Sequence, residues 1–203
     1  MKTENILTHA KKYGIPIIRS ESHEFLQKLI KKENPKHILE IGTAVGYSGI
    51  AMLSQCNGHL TTIEHDESSV KQAQKNFKAF KMQNRVDIIH GDCLVEIAKM
   101  VASKEYDNYF DLIFLDGPKA QYDLMLNSLI MLLKPNGVFV ADNVLFRGYV
   151  QNNTKAPTKR YKTIIQRLNS FIDNCKNHPK LKDFKLNDIE DGIITAKKVQ
   201  NEK

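Results

Sequence analysis

Short blocks of apolar residues alternate along the chain with stretches of helical periodicity. "HILEIG" (37–42), "HLTTIEH" (59–65), "RVDIIHGD" (85–92), "FDLIFLDG" (110–117) and "GVFVADN" (137–143) read as five strands. "FDLIFL" is apolar at nearly every position, as a strand covered on both faces should be. Helices are expected between them. One starts at about Gly46, one spans 67–80 with Val70, Ala73, Phe77 and Phe80 on one face, and one runs from Cys93 to about Val101. Another runs from about Ala120 to Leu133 and is broken by Pro135-Asn136-Gly137. Two helical stretches, about 4–12 and 21–33, precede the first strand. A helix from about Thr158 to Cys175 follows the fifth, with Tyr161, Ile164, Ile165, Leu168, Phe171 and Ile172 on one face. The end of the chain reads as a hairpin turning at Asp191-Gly192.

Repeated β-α units imply an α/β fold with a doubly wound, mostly parallel sheet, here ending in an antiparallel hairpin and carrying extra N-terminal helices. In such sheets ligands bind beyond the C-terminal ends of the strands. The 203 residues suit a single domain, with 1–34 as a helical segment and 35–203 as the core.

Composition narrows the setting. With 41% hydrophobic and 26% charged residues the chain reads as globular, not disordered. Its apolar runs are too short to span a bilayer, and the first sixteen residues contain no signal-peptide core. The expected compartment is the cytoplasm. Cys56, Cys93 and Cys175 are widely spaced and read as free thiols. The net charge of +7 is concentrated between Arg147 and Lys185, where ten lysines and arginines face two acids. Such a segment is either a solvated surface or a patch that attracts phosphates.

Candidate chemistry falls at the strand ends. Gly42 and Gly46 bracket the first strand-to-helix turn in "LEIGTAVGYSG", and Glu40 precedes them at the buried end of the strand. The spacing is G-x-x-x-G, so the G-x-G-x-x-G cradle of dinucleotide folds is absent. That absence and the closing hairpin argue against a nicotinamide-dependent oxidoreductase. Glu64 ends the second strand, where an acid can accept from ribose hydroxyls or cap the next helix. Asp92, followed by Cys93, either caps a helix or lines an adenine pocket. Asp116 ends the fourth strand, with Lys119 and Tyr122 just beyond, and Asp142-Asn143 end the fifth. Taken singly, these read as a cap and a turn. Together, two carboxylates and an amide carbonyl suit Mg²⁺, or Mn²⁺, with retained waters.

"LEIGTAVGYSG", the acid of "TTIEHD", "HGDC", "FLDGPK" and "VADNVLFRG" together resemble class I S-adenosylmethionine methyltransferases. More narrowly, they resemble the Mg²⁺-dependent catechol and caffeoyl-coenzyme A O-methyltransferases, over about Ile15 to the final hairpin. The resemblance implies a Rossmann-like seven-stranded sheet and a homodimer. It implies that Glu40, Gly42 and Ser48 hold the methionine end of the cofactor, with Gly46 and Tyr47 in the same turn. Glu64 would hold the ribose, Asp92 and Cys93 would lie near the adenine, and Asp116 would border the cofactor. Asp116, Asp142 and Asn143 match the metal ligands and Lys119 matches the general base, provided burial or the metal depresses its pKa. The common "DN-x-L-W-x-G" stands here as "DNVLFRG", and the chain has no tryptophan. This form resembles the bacterial subgroup that methylates 5-hydroxyuridine at the tRNA wobble position. Arg147, Lys159, Arg160 and Lys162 are the expected RNA contacts. The alternatives are a small catechol or phenolic substrate, or a non-catalytic RNA-binding module.

Overall fold

A computed structural model describes residues 18–150 and 158–200. The expected helix at about 4–12 lies outside the described residues. The chain divides into two compact units, Met1–Glu96 and Ile97–Lys203.

The first unit contains helix α1 (Ser20–Glu33), strand β1 (His37–Ile41), helix α2 (Tyr47–Leu53), strand β2 (His59–Glu64), helix α3 (Glu67–Ala79) and strand β3 (Val86–His90). Its three strands are parallel, with Ile41 opposite Ile63 and Glu64 opposite His90. Helix α3 starts where Asp66 accepts from the Ser69 amide at 2.7 Å and the Ser68 hydroxyl at 2.6 Å. Those bonds hold the Asp66 carboxyl down at about 2. The helix buries Val70, Ala73 and Phe77, the spacing its sequence shows. Arg85 donates to the carbonyls of Leu53, Cys56 and Gly58, which ties the end of α2 to the start of β3.

Helix α4 (Cys93–Ser103) leads into the second unit. There follow strand β4 (Phe110–Leu115), helix α5 (Tyr122–Leu132), strand β5 (Leu133–Asp142), helix α6 (Lys159–Asn177) and the hairpin of β6 (Leu181–Asn187) and β7 (Ile193–Lys198). Strands β4 and β5 are parallel, and β7 lies antiparallel between β5 and β6. The strand order is β3-β2-β1-β4-β5-β7-β6, seven strands that are mostly parallel and end in an antiparallel hairpin. The expected fold class is therefore observed.

One expectation needs correction. Pro135-Asn136-Gly137 reads as a break between helix and strand, yet β5 begins at Leu133. The three residues form an irregularity inside the strand: Leu133 pairs with Phe110, and pairing resumes with Val138 opposite Leu112. Asn136 takes a left-handed φ of 61°. Lys134 bonds Asp111 at 2.8 Å across the bulge. Lys198 of β7 is buried and donates to the carbonyls of Ile130 and Leu133 at 2.6 and 2.7 Å. It thus satisfies acceptors at the end of α5 that α5 leaves unpaired. Cys56, Cys93 and Cys175 are buried and none is in a disulfide, which agrees with their reading as thiols. Among the described residues no helix is long and apolar enough to cross a membrane.

Candidate active site

In the first unit the chain turns from β1 into α2 through Gly42 and Gly46, both at positive φ (98° and 80°). Gly46 is required twice over. Its backbone is left-handed, and a Cβ there would lie 2.9 Å from the ring of Phe77. The turn is held from both sides. Oε2 of Glu64, at the end of β2, accepts the Ala44 amide at 2.8 Å, and Asn76 of α3 donates to the Val45 carbonyl at 2.8 Å. Oε1 of Glu64 accepts the amides of His65 and Asp66, each at 2.8 Å. A carboxylate has about four acceptor positions, so Glu64 retains capacity for hydroxyl donors.

Glu40 is fully buried. Its Oε1 accepts from the Ser48 hydroxyl and its Oε2 from the Thr62 hydroxyl at 2.7 Å. Thr62 spends its proton on Glu40, so Thr43 donates to Thr62, at 2.6 Å. This chain links β1, β2, the turn and the first residues of α2. Thr43 and Thr62 lie inside "LEIGTAVGYSG" and "TTIEHD", but sequence reasoning gave neither a role. Tyr47 is buried, and the ring of His23 stacks on it at 4.8 Å. Nε2 of His23 is buried without a partner, and burial lowers the imidazole pKa. Asp92 accepts from the amides of Leu94 (2.9 Å) and Val95 (3.2 Å), so it caps α4. Burial and then Asp92 push the Cys93 thiol up.

In the second unit, register sets the geometry. Leu115 pairs with Ala141, so the next residues, Asp116 and Asp142, leave β4 and β5 side by side. Asp142 is fully buried. Its Oδ1 accepts the Asn143 amide at 2.8 Å, while Oδ2 is buried and has no partner. Burial, reinforced by the charge of Asp116, pushes the Asp142 carboxyl up to about 6. Asn143 itself is left-handed, at φ 60°.

Lys119 donates to Oδ1 of Asp116 and to the Tyr122 hydroxyl, each at 2.7 Å. Tyr122 is fully buried and lies 3.1 Å from the carbonyls of Leu115 and Asp142, so it bridges the ends of both strands. Sequence reasoning placed Tyr122 just beyond Asp116 and assigned it no role; its spacing of three from Lys119 is the signal that could have found one. Burial alone would lower the Lys119 pKa, the condition under which it fits a general base. Asp116 and Tyr122 outweigh burial and hold the ammonium above its ordinary value. While these contacts hold, Lys119 keeps its proton.

Among the described residues no group of three or more His, Cys, Asp or Glu forms a metal cluster. The expected set is of another kind, two carboxylates and an amide. The orphaned Oδ2 of Asp142 and the crowding of two acids are features that a hard divalent cation would relieve. The residues therefore fit Mg²⁺ or Mn²⁺.

An open cleft of about 480 Å³ is lined by Gly117, Pro118, Lys119 and Ala120 on one wall and by Arg160, Thr163 and Ile164 of α6 on the other. Arg167 fixes that helix to the Ala120 carbonyl at 2.8 Å. Of the four expected RNA contacts, Arg160 is brought to the cleft. Arg147, Lys159 and Lys162 are exposed and do not line it. Phe146, Tyr149 and Tyr161 cluster with ring centroids 5.1–6.2 Å apart, and Arg147 reaches the Tyr161 hydroxyl at 3.5 Å.

Residues 3–199 match the model of a family described as O-methyltransferase. A catechol O-methyltransferase of Niastella koreensis is 34% identical over 148 residues, 70% of this chain and 66% of that protein. Caffeoyl-CoA O-methyltransferase 2 of Petunia hybrida is 26% identical over 163 residues, 79% of this chain and 67% of that protein. The structure of an O-methyltransferase from Bacillus cereus in complex with SAH superposes with a TM-score of 0.82 at 25% identity, covering 97% of this chain and 90% of that one. The chain belongs to the O-methyltransferase family and has its class I, S-adenosylmethionine-dependent fold.

Proposed function

We propose that the protein transfers a methyl group from S-adenosylmethionine to the 5-hydroxyl of 5-hydroxyuridine at the wobble position of tRNA, in a reaction that needs Mg²⁺ or Mn²⁺. The observation that carries the choice of substrate is the cleft that sets Arg160 of the basic helix across from Lys119. A cleft lined by an arginine and by the lysine that pairs with Asp116 favours an acceptor that brings phosphates with it.

The reaction is an in-line displacement. The acceptor oxygen forms a bond to the methyl carbon, the sulfur–carbon bond breaks, and its electron pair returns to sulfur. S-adenosylmethionine supplies the electrophilic methyl group. The turn through Gly42, Gly46, Tyr47 and Ser48, with Glu40 behind it, is the candidate holder of the methionine end, and Glu64 of the ribose. Asp92 and Cys93 would serve the adenine. Asp116, Asp142 and Asn143 would hold the divalent ion, which eases loss of the acceptor's proton. Lys119, released from Asp116, would take that proton. Arg147, Lys159, Arg160 and Lys162 would meet phosphates.

Mass spectrometry of tRNA nucleosides from a strain lacking the protein tests this reading. Loss of 5-methoxyuridine-type nucleosides supports it, and an unchanged nucleoside profile overturns it. The names of the catechol and caffeoyl-CoA relatives favour a second reading, a small phenolic acceptor. Under that reading turnover would be insensitive to salt.

A further inference from the structure

The closing hairpin also shapes the site. Pairing between β5 and β7 reaches Asp142, opposite Ile193. It continues past the end of β5: the Gly192 carbonyl accepts the Val144 amide at 3.1 Å, and the Asp191 carbonyl accepts the Leu145 amide at 2.7 Å. The side chain of Asp191 then adds a third bond, Oδ1 accepting the Arg147 amide at 3.2 Å. Asp191 is buried, 8% exposed, which is unusual for a carboxylate in a hairpin turn. The segment it grips is costly to shape. Asn143, Phe146 and Arg147 are all left-handed, at φ 60°, 46° and 58°. Val144 and Leu145, between them, are buried. Gly192 completes the grip. At its φ of +80°, a Cβ would stand 2.3 Å from Cγ of Leu145, so the turn and the loop touch with no room for a side chain.

We propose that Asp191 is a positioning residue: through its side-chain bond to the Arg147 amide it fixes the strained loop that follows Asp142 and begins at Asn143. The proposal rests on the reading of Asp142 and Asn143 as holders of a divalent ion. Asp191 touches no reacting atom. Its side chain acts through the Arg147 amide, so an acceptor oxygen is what the position needs, and charge is secondary. Sequence reasoning saw Asp191-Gly192 only as a hairpin turn. The signal it lacked was that the turn lies against the residues following β5.

The test compares the full-length parent with Asp191→Ala and Asp191→Asn, using Mn²⁺ alone as probe. Asp191→Ala is expected to weaken Mn²⁺ binding, read by electron paramagnetic resonance, by about tenfold, as loss of outer-shell support does. It should leave S-adenosylmethionine affinity unchanged and speed hydrogen exchange at the Arg147 amide, more than at Leu145, whose partner is the main-chain carbonyl that alanine keeps. Asp191→Asn keeps the acceptor oxygen and should stay within about twofold of the parent, by the same reasoning. Mn²⁺ affinity and amide exchange both unchanged in a folded Asp191→Ala would overturn the proposal. So would a folded Asp191→Asn that loses as much as Ala. Should Asp191→Ala fail to fold, Asp191→Asn and the protection of the Arg147 amide in the parent decide the matter. A parent that binds no Mn²⁺ would sink the metal reading instead, and amide exchange alone would then judge Asp191.

Discussion

Oδ1 of Asp116 and Nζ of Lys119 lie 2.7 Å apart, so the acid that ends β4 already holds a counter-charge. The lysine is thereby kept protonated, and a role in proton transfer requires that pairing to loosen. Lys119→Met should lower kcat by roughly 10²–10⁴, the range for loss of a general base. Lys119→Arg is the discriminating variant. Arginine keeps the positive charge but does not give up its proton, so it should be as inactive as methionine. Recovery of activity with arginine would make Lys119 an electrostatic partner of Asp116 and no base.

Asp142 is buried with one oxygen unpartnered, and burial pushes its carboxyl up to about 6. At neutral pH the metal-free protein therefore holds a charge it would be more stable without. Asp142→Asn should raise the thermal midpoint of the chelator-treated protein by a few degrees, the shift that ~1 kcal/mol gives in a chain this long. It should also abolish the stabilisation that Mg²⁺ or Mn²⁺ confers on the parent. Thermal scans with chelator and with metal check both parts. A lower midpoint in chelator, together with intact metal stabilisation, would remove Asp142 from the ligand set.

His23 stacks on Tyr47 with Nε2 buried, and burial lowers its pKa below the ordinary 6.5. The sign follows directly. The unfolded chain binds the proton more tightly than the folded one, so stability falls as pH drops below about 6.5. His23→Phe keeps a stacked ring and removes the titration. The fall in thermal midpoint between pH 7 and pH 5 should be smaller in this variant than in the parent. An identical fall in both would show that His23 does not contribute.

Gly46→Ala places a Cβ against Phe77 and forces a side chain into a left-handed residue. The backbone strain alone costs about 1–2 kcal/mol. Because the turn carries the candidate cofactor contacts, S-adenosylmethionine affinity should fall about tenfold, while Mn²⁺ binding stays close to that of the parent. Titration calorimetry with each ligand separates the two effects. Unchanged cofactor affinity would move the cofactor away from this turn.

The sheet was legible because its signals are local. The apolar block 110–115 and the Val70, Ala73 and Phe77 stripe of α3 follow from the periods of strand and helix. The strand-end acids were legible for the same reason: in a parallel sheet, an acid after an apolar block falls at the ligand edge. Pairing across the chain was not legible. Pro135-Asn136-Gly137 has the composition of a break, yet pairing with β4 absorbs it as a bulge. The Lys119 pKa depends on Asp116 and Tyr122 meeting one ammonium, a contact that burial arguments alone mis-sign. Thr43, Thr62 and Asp191 gain meaning only from partners 19 to 46 positions away.

The most direct test of the central claim uses the purified protein, S-adenosylmethionine labelled in its methyl group, and tRNA carrying 5-hydroxyuridine. The expected result is label recovered in 5-methoxyuridine, abolished by EDTA and restored by added Mg²⁺ or Mn²⁺. No label in the tRNA would contradict the proposed acceptor, and full labelling in EDTA would contradict the role assigned to Asp116, Asp142 and Asn143.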